Sequence, residues 1–309
     1  MKILLIPDRP GWAYDILAQS IKEHSKFDSI DIQYIIDIRR EVGKVDFSGY
    51  DVIFVFLWYD AMRYGPQIKG FEFGKTCVGV HSIASWENRN LTTDQASQIC
   101  NQFAATGYIS QEIGRCLKLT NGFFTPNGVE ESLFFPSPLD QGGEVRLMWV
   151  GNPSTRHHGE NKGFHSIVKP VVDSFSNRNV RLVTATPQNP VAREDMGEFY
   201  RSHHALICSS RTEGGPMPVV EALACGRPVL STSVGVVPEL VIEGKNGLLF
   251  HRSRKGLHDA IEALLSSPTL LTKMSKNAPG SVSSRLAHET IKHYDSMFES
   301  IRKRQGERS

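Results

Sequence analysis

The sequence predicts an α/β protein of two doubly wound lobes, each a parallel sheet with helices on both faces. Three observations favour this class. The chain of 309 residues is long for a single core, because domains cluster near roughly 100 to 150 residues. Short apolar runs alternate with longer polar segments twice along the chain, as is typical of βαβ units. Between the two series lies a stretch of turn-forming residues, 136–143, which we expect to be the linker.

The expected elements of the two lobes follow from these runs. In the first lobe, residues 1–138, apolar and β-branched runs predict strands at residues 2–6, 30–36, 52–57, 76–80, 105–109 and 122–125. In the second lobe, residues 139–309, strands are predicted at residues 145–150, 180–184, 205–208 and 228–231. Helices are expected from about 164, near 194–200, from about 217 and at about 281–304, the last packing back on the first lobe. Ligands of such sheets sit beyond the carboxyl ends of the strands.

Composition and charge exclude several classes of protein. A formal net charge of +2 gives no basic field for nucleic acid, but it leaves a small anion such as a phosphate open as a ligand. The apolar N-terminal run is too short for a signal peptide, and no run approaches the roughly 20 residues of a membrane span. Five scattered cysteines predict reduced thiols. We therefore expect a cytoplasmic protein, with at most peripheral contact with the inner membrane face.

The densest chemical signal lies in residues 209–230. A predicted strand ends there in a Gly-Gly loop, which lets the backbone approach a ligand closely. A helix beginning near Met217 presents free N–H groups that suit a phosphate. Glu213 stands in the loop and Glu221 about one turn into the helix, so we expect both carboxylates to face one crevice. Because carboxylates repel phosphate, their expected partners are sugar hydroxyls.

This segment resembles the E-x7-E motif of retaining glycosyltransferases of family 4, which adopt the GT-B fold of two Rossmann-like lobes facing a central cleft. Three further segments resemble the family in the right order. Residues 125–134 are similar to its Pro-Asn-Gly-Val segment, residues 150–163 to its phosphate loop, and residues 234–249 to the segments after the motif. Together they are more specific than one pattern alone. The first lobe matches only in its pattern of strands and helices.

The resemblance implies a role for each matched residue. Glu213 contacts the donor sugar, Glu221 hydrogen-bonds the ribose, and Lys162 holds the diphosphate and stabilises the leaving nucleotide. A solvated surface residue is the alternative for this lysine. Further donor contacts are implied for the backbone after the first glutamate and for the loop after the first strand: Gly214, Gly215, Met217, Val219 and Gly11.

Two positions keep alternatives open. Asn152 stands where family members commonly place a phosphate-binding arginine, and our hypothesis is that Arg156 reaches back from the longer loop to replace it. His81 corresponds by position to a family histidine near the reacting sugar, where a neutral imidazole donates to a sugar hydroxyl. A histidine at a strand end is as commonly a satisfied structural residue. Both interpretations of His81 stay open.

We therefore expect a retaining glycosyltransferase that moves a sugar from a nucleotide diphosphate, with UDP or GDP as the carrier, to an acceptor hydroxyl of a glycan, glycolipid or small molecule. No cofactor is expected. No metal is expected either, since the chain has no Asp-x-Asp and its histidine pairs, 157–158 and 203–204, lack further ligands. The alternative is a noncatalytic sugar-nucleotide or polysaccharide binding protein of the same fold. The sequence leaves the nucleotide, the sugar, the acceptor, the linkage and the oligomeric state open.

Overall fold

The structure is a computed structural model that describes residues 1–140, 142–154 and 159–306. It divides into two compact units. The first comprises Met1–Gly128 together with the chain from Ala287 onward, and the second comprises Val129–Leu286. The division therefore falls before the expected boundary at residue 138, and the end of the chain belongs with the first unit.

The first unit is built on a six-stranded sheet whose neighbouring strands are all parallel, in the order β2-β1-β3-β4-β5-β6. Every residue of the third and fourth strands is buried, as expected for a parallel sheet covered on both faces. The strands are β1 (Lys2–Ile6), β2 (Ser29–Ile32), β3 (Val52–Val55), β4 (Thr76–Val80), β5 (Ala105–Tyr108) and β6 (Gly122–Phe124).

Helices connect these strands: α1 (Ala13–His24), α2 (Ile35–Ile38), α3 (Trp58–Tyr64), α4 (Ala84–Glu87), α5 (Thr93–Cys100) and α6 (Gln111–Cys116). Helix α1 buries Leu17, Ala18 and Ile21, which share one face at helical spacing. Helix α5 begins at a capping box. Thr92 Oγ1 accepts from the Gln95 amide at 3.2 Å, and Gln95 Oε1 accepts from the Thr92 amide at 2.9 Å.

The strand expected at residues 30–36 ends early, at Ile32, and helix α2 follows it. The amides of Ile35 and Ile36 donate to the carbonyls of Pro7 and Asp8, at 2.9 and 3.2 Å. These bonds turn the chain away from the sheet and fix the loop after β1. An isoleucine-rich run has the composition of a strand, so periodicity alone does not reveal this turn.

The second unit contains a five-stranded sheet, also parallel, in the order β11-β10-β9-β7-β8. The strands are β7 (Val145–Val150), β8 (Val180–Ala185), β9 (Ala205–Cys208), β10 (Val229–Ser231) and β11 (Gly247–Leu249). From β7 the chain moves first to one side, to β8, and then crosses to the other side, to β9. The adjacent carboxyl ends of β7 and β9 are therefore the switch point, where sheets of this class bind ligands.

The helices of this unit are α7 (Gly159–Lys162), α8 (Lys169–Asp173), α9 (Met196–Arg201), α10 (Met217–Ala224), α11 (Val237–Leu240), α12 (Arg254–Ser266) and α13 (Pro268–Asn277). The helix expected from about residue 164 starts as a π-helical turn, Phe164–Val168, that leads into α8. Helix α10 ends before Gly226, as the sequence predicts.

The stretch expected to be the linker, residues 136–143, is held by the second unit. Arg227 is fully buried, and its guanidinium donates to the carbonyl and the hydroxyl of Ser137, both at 2.8 Å, and to the carbonyl of Pro138 at 3.3 Å. A buried cation requires such acceptors. The linker assignment is therefore wrong for residues 137 and 138. Their composition predicts a turn, but it does not predict that their carbonyl groups accept hydrogen bonds from Arg227, which is distant in the sequence.

Helix α14 (Ala287–Gly306) closes the first unit. It buries Tyr294 and Phe298 in one cluster with Ile3, Leu5 and Phe54, and Tyr294 also donates to the Thr125 carbonyl at 3.1 Å. The helix expected from about residue 281 starts later, after a 3₁₀ segment. Among the residues that the structure describes, no helix has both the length and the apolarity of a membrane span.

Candidate functional site

Lys162 and Glu213 meet at the switch point of the second sheet. Lys162 is the last residue of α7, which follows β7, and Glu213 follows β9. The Lys162 ammonium lies 2.8 Å from Oε1 of Glu213, and the Ser210 hydroxyl donates to the same oxygen at 2.8 Å. The two charged side chains are 27% and 20% exposed, so a ligand can reach both. They line one pocket with Trp149, Val150, Cys208, Ser210 and Pro216. The structure thus brings these two predicted residues together.

A set of hydrogen bonds holds the Lys162 segment against the Glu213 segment. The Asn161 side chain pairs with the backbone of Thr212: its amide nitrogen donates to the Thr212 carbonyl at 2.9 Å, and its oxygen accepts from the Thr212 amide at 3.1 Å. The Arg211 amide donates to the Asn161 carbonyl at 2.7 Å, and the Ser209 hydroxyl donates to the Lys162 carbonyl at 2.6 Å. Asn161 therefore fixes the relative positions of the two loops.

Arg252 forms hydrogen bonds with both of these segments. Its Nε donates to the Ser209 carbonyl at 2.9 Å, and its Nη2 donates to the carbonyls of Glu160 and Asn161. Sequence analysis missed both Asn161 and Arg252. No pattern links residues so far apart in the chain, and their contacts exist only after folding.

The loop after Glu213 keeps its amides available. Within the described residues, the amides of Gly214 and Gly215 have no hydrogen-bond acceptor. The Gly214 carbonyl accepts from the Val236 amide at 3.1 Å, which anchors the loop. Helix α10 then starts at Met217. The expected donor contact from the Val219 amide needs correction, because that amide donates to the Pro216 carbonyl at 2.9 Å.

Glu221 lies inside α10 and is 5% exposed. Its Oε2 accepts from the hydroxyl of Tyr200 at 2.8 Å, and its Oε1 forms an ion pair with Arg193. Burial and the Glu221 charge both raise the pKa of Tyr200 well above its usual value, so this hydroxyl stays a donor. The two glutamates thus have separate partner sets, Lys162 and Ser210 for one and Arg193 and Tyr200 for the other. Whether both carboxylates face one crevice stays a prediction.

Asn152 lies just after β7, in the loop where the sequence predicts phosphate contacts. Asn152 is exposed, and its side-chain oxygen accepts from the Ser154 amide at 2.9 Å, so it stabilises a turn. Arg156, the predicted substitute for a second phosphate cation, lies outside the described residues.

Gly11 belongs to a well-anchored loop at the carboxyl end of β1. Its amide donates to Oδ2 of Asp15 at 2.7 Å, and the Tyr34 hydroxyl donates to Oδ1 of the same carboxylate at 2.9 Å. This loop presents Trp12, which is 57% exposed, with the Arg9 guanidinium 4.4 Å from its ring centre. The fixed backbone gives the first unit an exposed aromatic surface beside a cation.

His81 lies at the end of β4 and is 8% exposed. Its ring packs against Tyr14, with 4.6 Å between ring centres, and is nearly parallel to Phe56. Neither ring nitrogen meets strict hydrogen-bond geometry, but the ring lies close enough to the Phe56 backbone for a weak bond that partly offsets the effect of burial on the pKa of His81. Burial lowers the pKa of His81 to about 4, so the imidazole is neutral at pH 7. The packing against Tyr14 and Phe56 is compatible with both interpretations of His81, the sugar-binding one and the structural one, and both stay predictions.

The histidine pair 203–204 forms hydrogen bonds with backbone groups. His203 Nδ1 bonds the Phe199 carbonyl at 2.5 Å, and His204 accepts from the Arg146 amide at 3.0 Å. In the part of the chain that the structure describes, no three His, Cys, Asp or Glu side chains form a group able to hold a metal ion. His157 and His158 lie outside that part.

These features define an α/β protein with a candidate ligand site at the carboxyl ends of the strands in its second unit. Residues 182–281, which include both glutamates, match the family described as glycosyl transferases group 1. A D-inositol 3-phosphate glycosyltransferase of Rhodococcus erythropolis is 31% identical over 163 residues, which are 52% of this chain and 34% of that protein. The chain spans about a third or less of the length of the curated relatives that it matches.

Solved structures with the same fold cover the whole chain. Sucrose-phosphate synthase from Thermosynechococcus elongatus has a TM-score of 0.70 at 15% identity, over 100% of both chains. HepE of Anabaena, solved in complex with UDP and glucose, has a TM-score of 0.70 at 16% identity, over 99% of both chains. The predicted GT-B fold is confirmed. The predicted resemblance to family 4 glycosyltransferases is supported over the segment that the family model matches, residues 182–281.

Proposed function

We propose that the chain is a retaining glycosyltransferase that binds a nucleotide sugar at the Lys162–Glu213 site and transfers the sugar to an acceptor hydroxyl. The observation that carries this proposal is the contact of 2.8 Å between the Lys162 ammonium and Glu213 at the switch point. A cation beside a carboxylate suits a ligand that has phosphates at one end and hydroxyls at the other. Glycosyltransferases among the relatives and solved structures support the same reading.

Each group at the site has a chemical role in this proposal. Lys162 binds the diphosphate and stabilises its growing charge as the glycosidic bond breaks. Glu213 accepts hydrogen bonds from the hydroxyls of the donor sugar. The amides of Gly214 and Gly215, which lack acceptors within the described residues, donate to the sugar or the phosphate. Because a lysine supplies the positive charge, we propose a reaction that needs no metal ion. We further propose that the transferred sugar is a hexose.

Retention requires that the acceptor attack on the face that the phosphate leaves. The leaving oxygen then takes the proton of the acceptor hydroxyl, so no separate base is needed. We place the acceptor with the first unit, where Asp8 Oδ1 is buried without a partner among the described residues and the buried ring of His81 has at most one weak bond, to the Phe56 backbone. A ligand with hydroxyl groups both donates and accepts hydrogen bonds, so it would satisfy these atoms.

The donor is proposed to be a UDP-sugar, because HepE is described in complexes with UDP and with UDP-glucose. We also propose a reducing compartment, the cytoplasm, since all five cysteines are unpaired and three are buried. The match covers about a third or less of the curated relatives, so their acceptors are not assigned to this chain.

A two-stage experiment tests the proposal. Thermal unfolding with UDP, GDP and ADP identifies the nucleotide that raises the midpoint. The matching labelled nucleotide sugars are then incubated with a panel of saccharide acceptors, and NMR of the product reports its anomeric configuration. We expect transfer with retention. A protein that is stabilised by a nucleotide but releases none from any donor would be the noncatalytic binding protein, which the turn-forming role of Asn152 favours.

A further inference from the structure

Glu221 already has a partner at each carboxylate oxygen. Oε2 accepts from Tyr200 at 2.8 Å, and Oε1 pairs with Arg193. The Glu221 side chain is 6% exposed and the Arg193 side chain 30% exposed. Because the arginine is the more exposed of the pair, a ligand that reaches this carboxylate also meets the guanidinium.

The two partners of Glu221 differ in character. Tyr200 is fully buried and remains protonated, so it supports the carboxylate from inside the core. Arg193 begins a 3₁₀ turn, Arg193–Asp195, in the connection after β8. Its guanidinium lies 4.7 Å from the ring centre of Phe134, a buried residue. The cation is thus held between an aromatic ring and a carboxylate, in a fixed orientation.

Arg193 has hydrogen-bonding capacity left over. A guanidinium carries five N–H donors. Within the described residues, Glu221 is the acceptor that the structure gives it. The remaining donors are on a partly exposed side chain beside the carboxyl edge of the sheet. They are available to a ligand without breaking the ion pair.

We propose that Arg193 is a nucleotide-binding residue that grips the ribose of the donor jointly with Glu221. This inference rests on the proposed function. A ribose hydroxyl both donates and accepts, whereas a carboxylate only accepts and a guanidinium only donates. Each carboxylate oxygen has two lone pairs, so Glu221 accepts a ribose hydroxyl while keeping Tyr200 and Arg193. The vicinal diol of a ribose therefore matches the Arg193–Glu221 pair at both hydroxyls.

Charge supports the same assignment. A lone carboxylate near a bound diphosphate raises the energy of the complex by repulsion between like charges. Arg193 neutralises Glu221 and removes that repulsion. The pair therefore selects ribonucleotides over 2′-deoxyribonucleotides, because the loss of one hydroxyl leaves a donor or an acceptor of the pair unsatisfied.

Calorimetric titration with UDP and 2′-deoxy-UDP tests this assignment on the full chain. The variants are Arg193→Met, which removes the N–H donors, and Arg193→Lys, which keeps the positive charge but loses the planar guanidinium group. Arg146→Met is the matched control: the Arg146 side chain is 26% exposed, pairs with Asp140 at 2.6 Å and lies near the amino end of β7, away from the carboxyl ends of the strands. Unfolding midpoints are recorded for every variant, because Arg193→Met leaves a buried carboxylate with one partner fewer.

The unmodified protein is expected to prefer UDP over 2′-deoxy-UDP by about tenfold or more. Arg193→Met should weaken UDP binding by about tenfold and bring the preference close to one, Arg193→Lys should lie between, and Arg146→Met should match the unmodified protein. If Arg193→Met or Arg193→Lys keeps the full preference, Arg193 only supports the fold, and the inference is wrong while the proposed function stands. If the unmodified protein binds neither UDP nor GDP nor ADP, both are wrong.

Discussion

The ammonium of Lys162 and the carboxylate of Glu213 lie 2.8 Å apart across 51 positions of sequence. Each comes from a different loop at the switch point, and Ser210 donates to the same carboxylate oxygen. The pair is partly exposed, so it adds about 1 kcal/mol or less to stability, as exposed ion pairs usually do. Its position in a pocket is better explained by ligand binding than by stability.

We therefore expect Lys162→Ala and Glu213→Gln each to lower kcat by about a hundredfold or more, because each removes a charged contact to the donor. Unfolding midpoints should change little. Lys169→Ala is the matched control, since Lys169 also pairs with a carboxylate, Asp173, at 2.7 Å, but both side chains are more than half exposed. Transfer from the labelled donor is measured for all three. Near-normal turnover in both site variants would rule out the assigned site.

Asn161 should influence the reaction without touching the donor. Asn161→Ala breaks both bonds to the Thr212 backbone and lets the two loops move apart. We expect kcat to fall about tenfold, with a smaller change in the KM of the donor, because misplacement of the reacting groups slows the reaction. Asn277→Ala is the control, since Asn277 also bonds one backbone carbonyl, of Lys245, at 3.1 Å. Equal kcat in the two variants would argue against a positioning role for Asn161.

A comparison of alanine variants at two glycines, Gly235 and Gly244, distinguishes the effect of backbone strain from the effect of steric crowding at the site. At Gly235, with φ +53°, an added Cβ would lie 2.2 Å from the Gly214 carbonyl oxygen, whereas Gly244, with φ +68°, has open space around it. Both alanine variants should lose about 1 kcal/mol of unfolding free energy from the left-handed conformation. Only Gly235→Ala also displaces the loop after Glu213, so its kcat/KM should fall by about tenfold or more. Kinetics and denaturant unfolding of both variants measure the difference. Similar kcat/KM in the two would show that this loop tolerates displacement.

The sequence predicts most of the parallel strands, because buried strands are continuous apolar runs bounded by turns. It misses β11, whose residues Gly247–Leu249 are too few for a periodic pattern, and it extends β2 through isoleucines that form α2. The resemblance to family 4 also predicts Lys162 and Glu213 as donor contacts, and the structure brings these two side chains together. Arg193 escapes prediction, because its pairing with Glu221 depends on how the chain after β8 packs on α10.

His81 makes stability depend on pH in a defined window. Burial lowers its pKa to about 4 in the folded protein, whereas an unfolded histidine titrates near 6.5. Between these values the unfolded chain binds a proton that the folded chain does not bind, so stability is lost as the pH falls from about 6.5 to about 4. The largest possible loss from this one group is about 3 kcal/mol.

His81→Gln keeps a polar side chain but does not titrate, so its unfolding free energy should fall less over this window than that of the unmodified protein. Denaturant unfolding at pH 6.5 and 4.5 measures the difference, with His258→Gln, an exposed histidine at 46% exposure, as the control. The same pH dependence in His81→Gln and in the unmodified protein would mean that the buried imidazole becomes protonated without cost, and the prediction would be wrong.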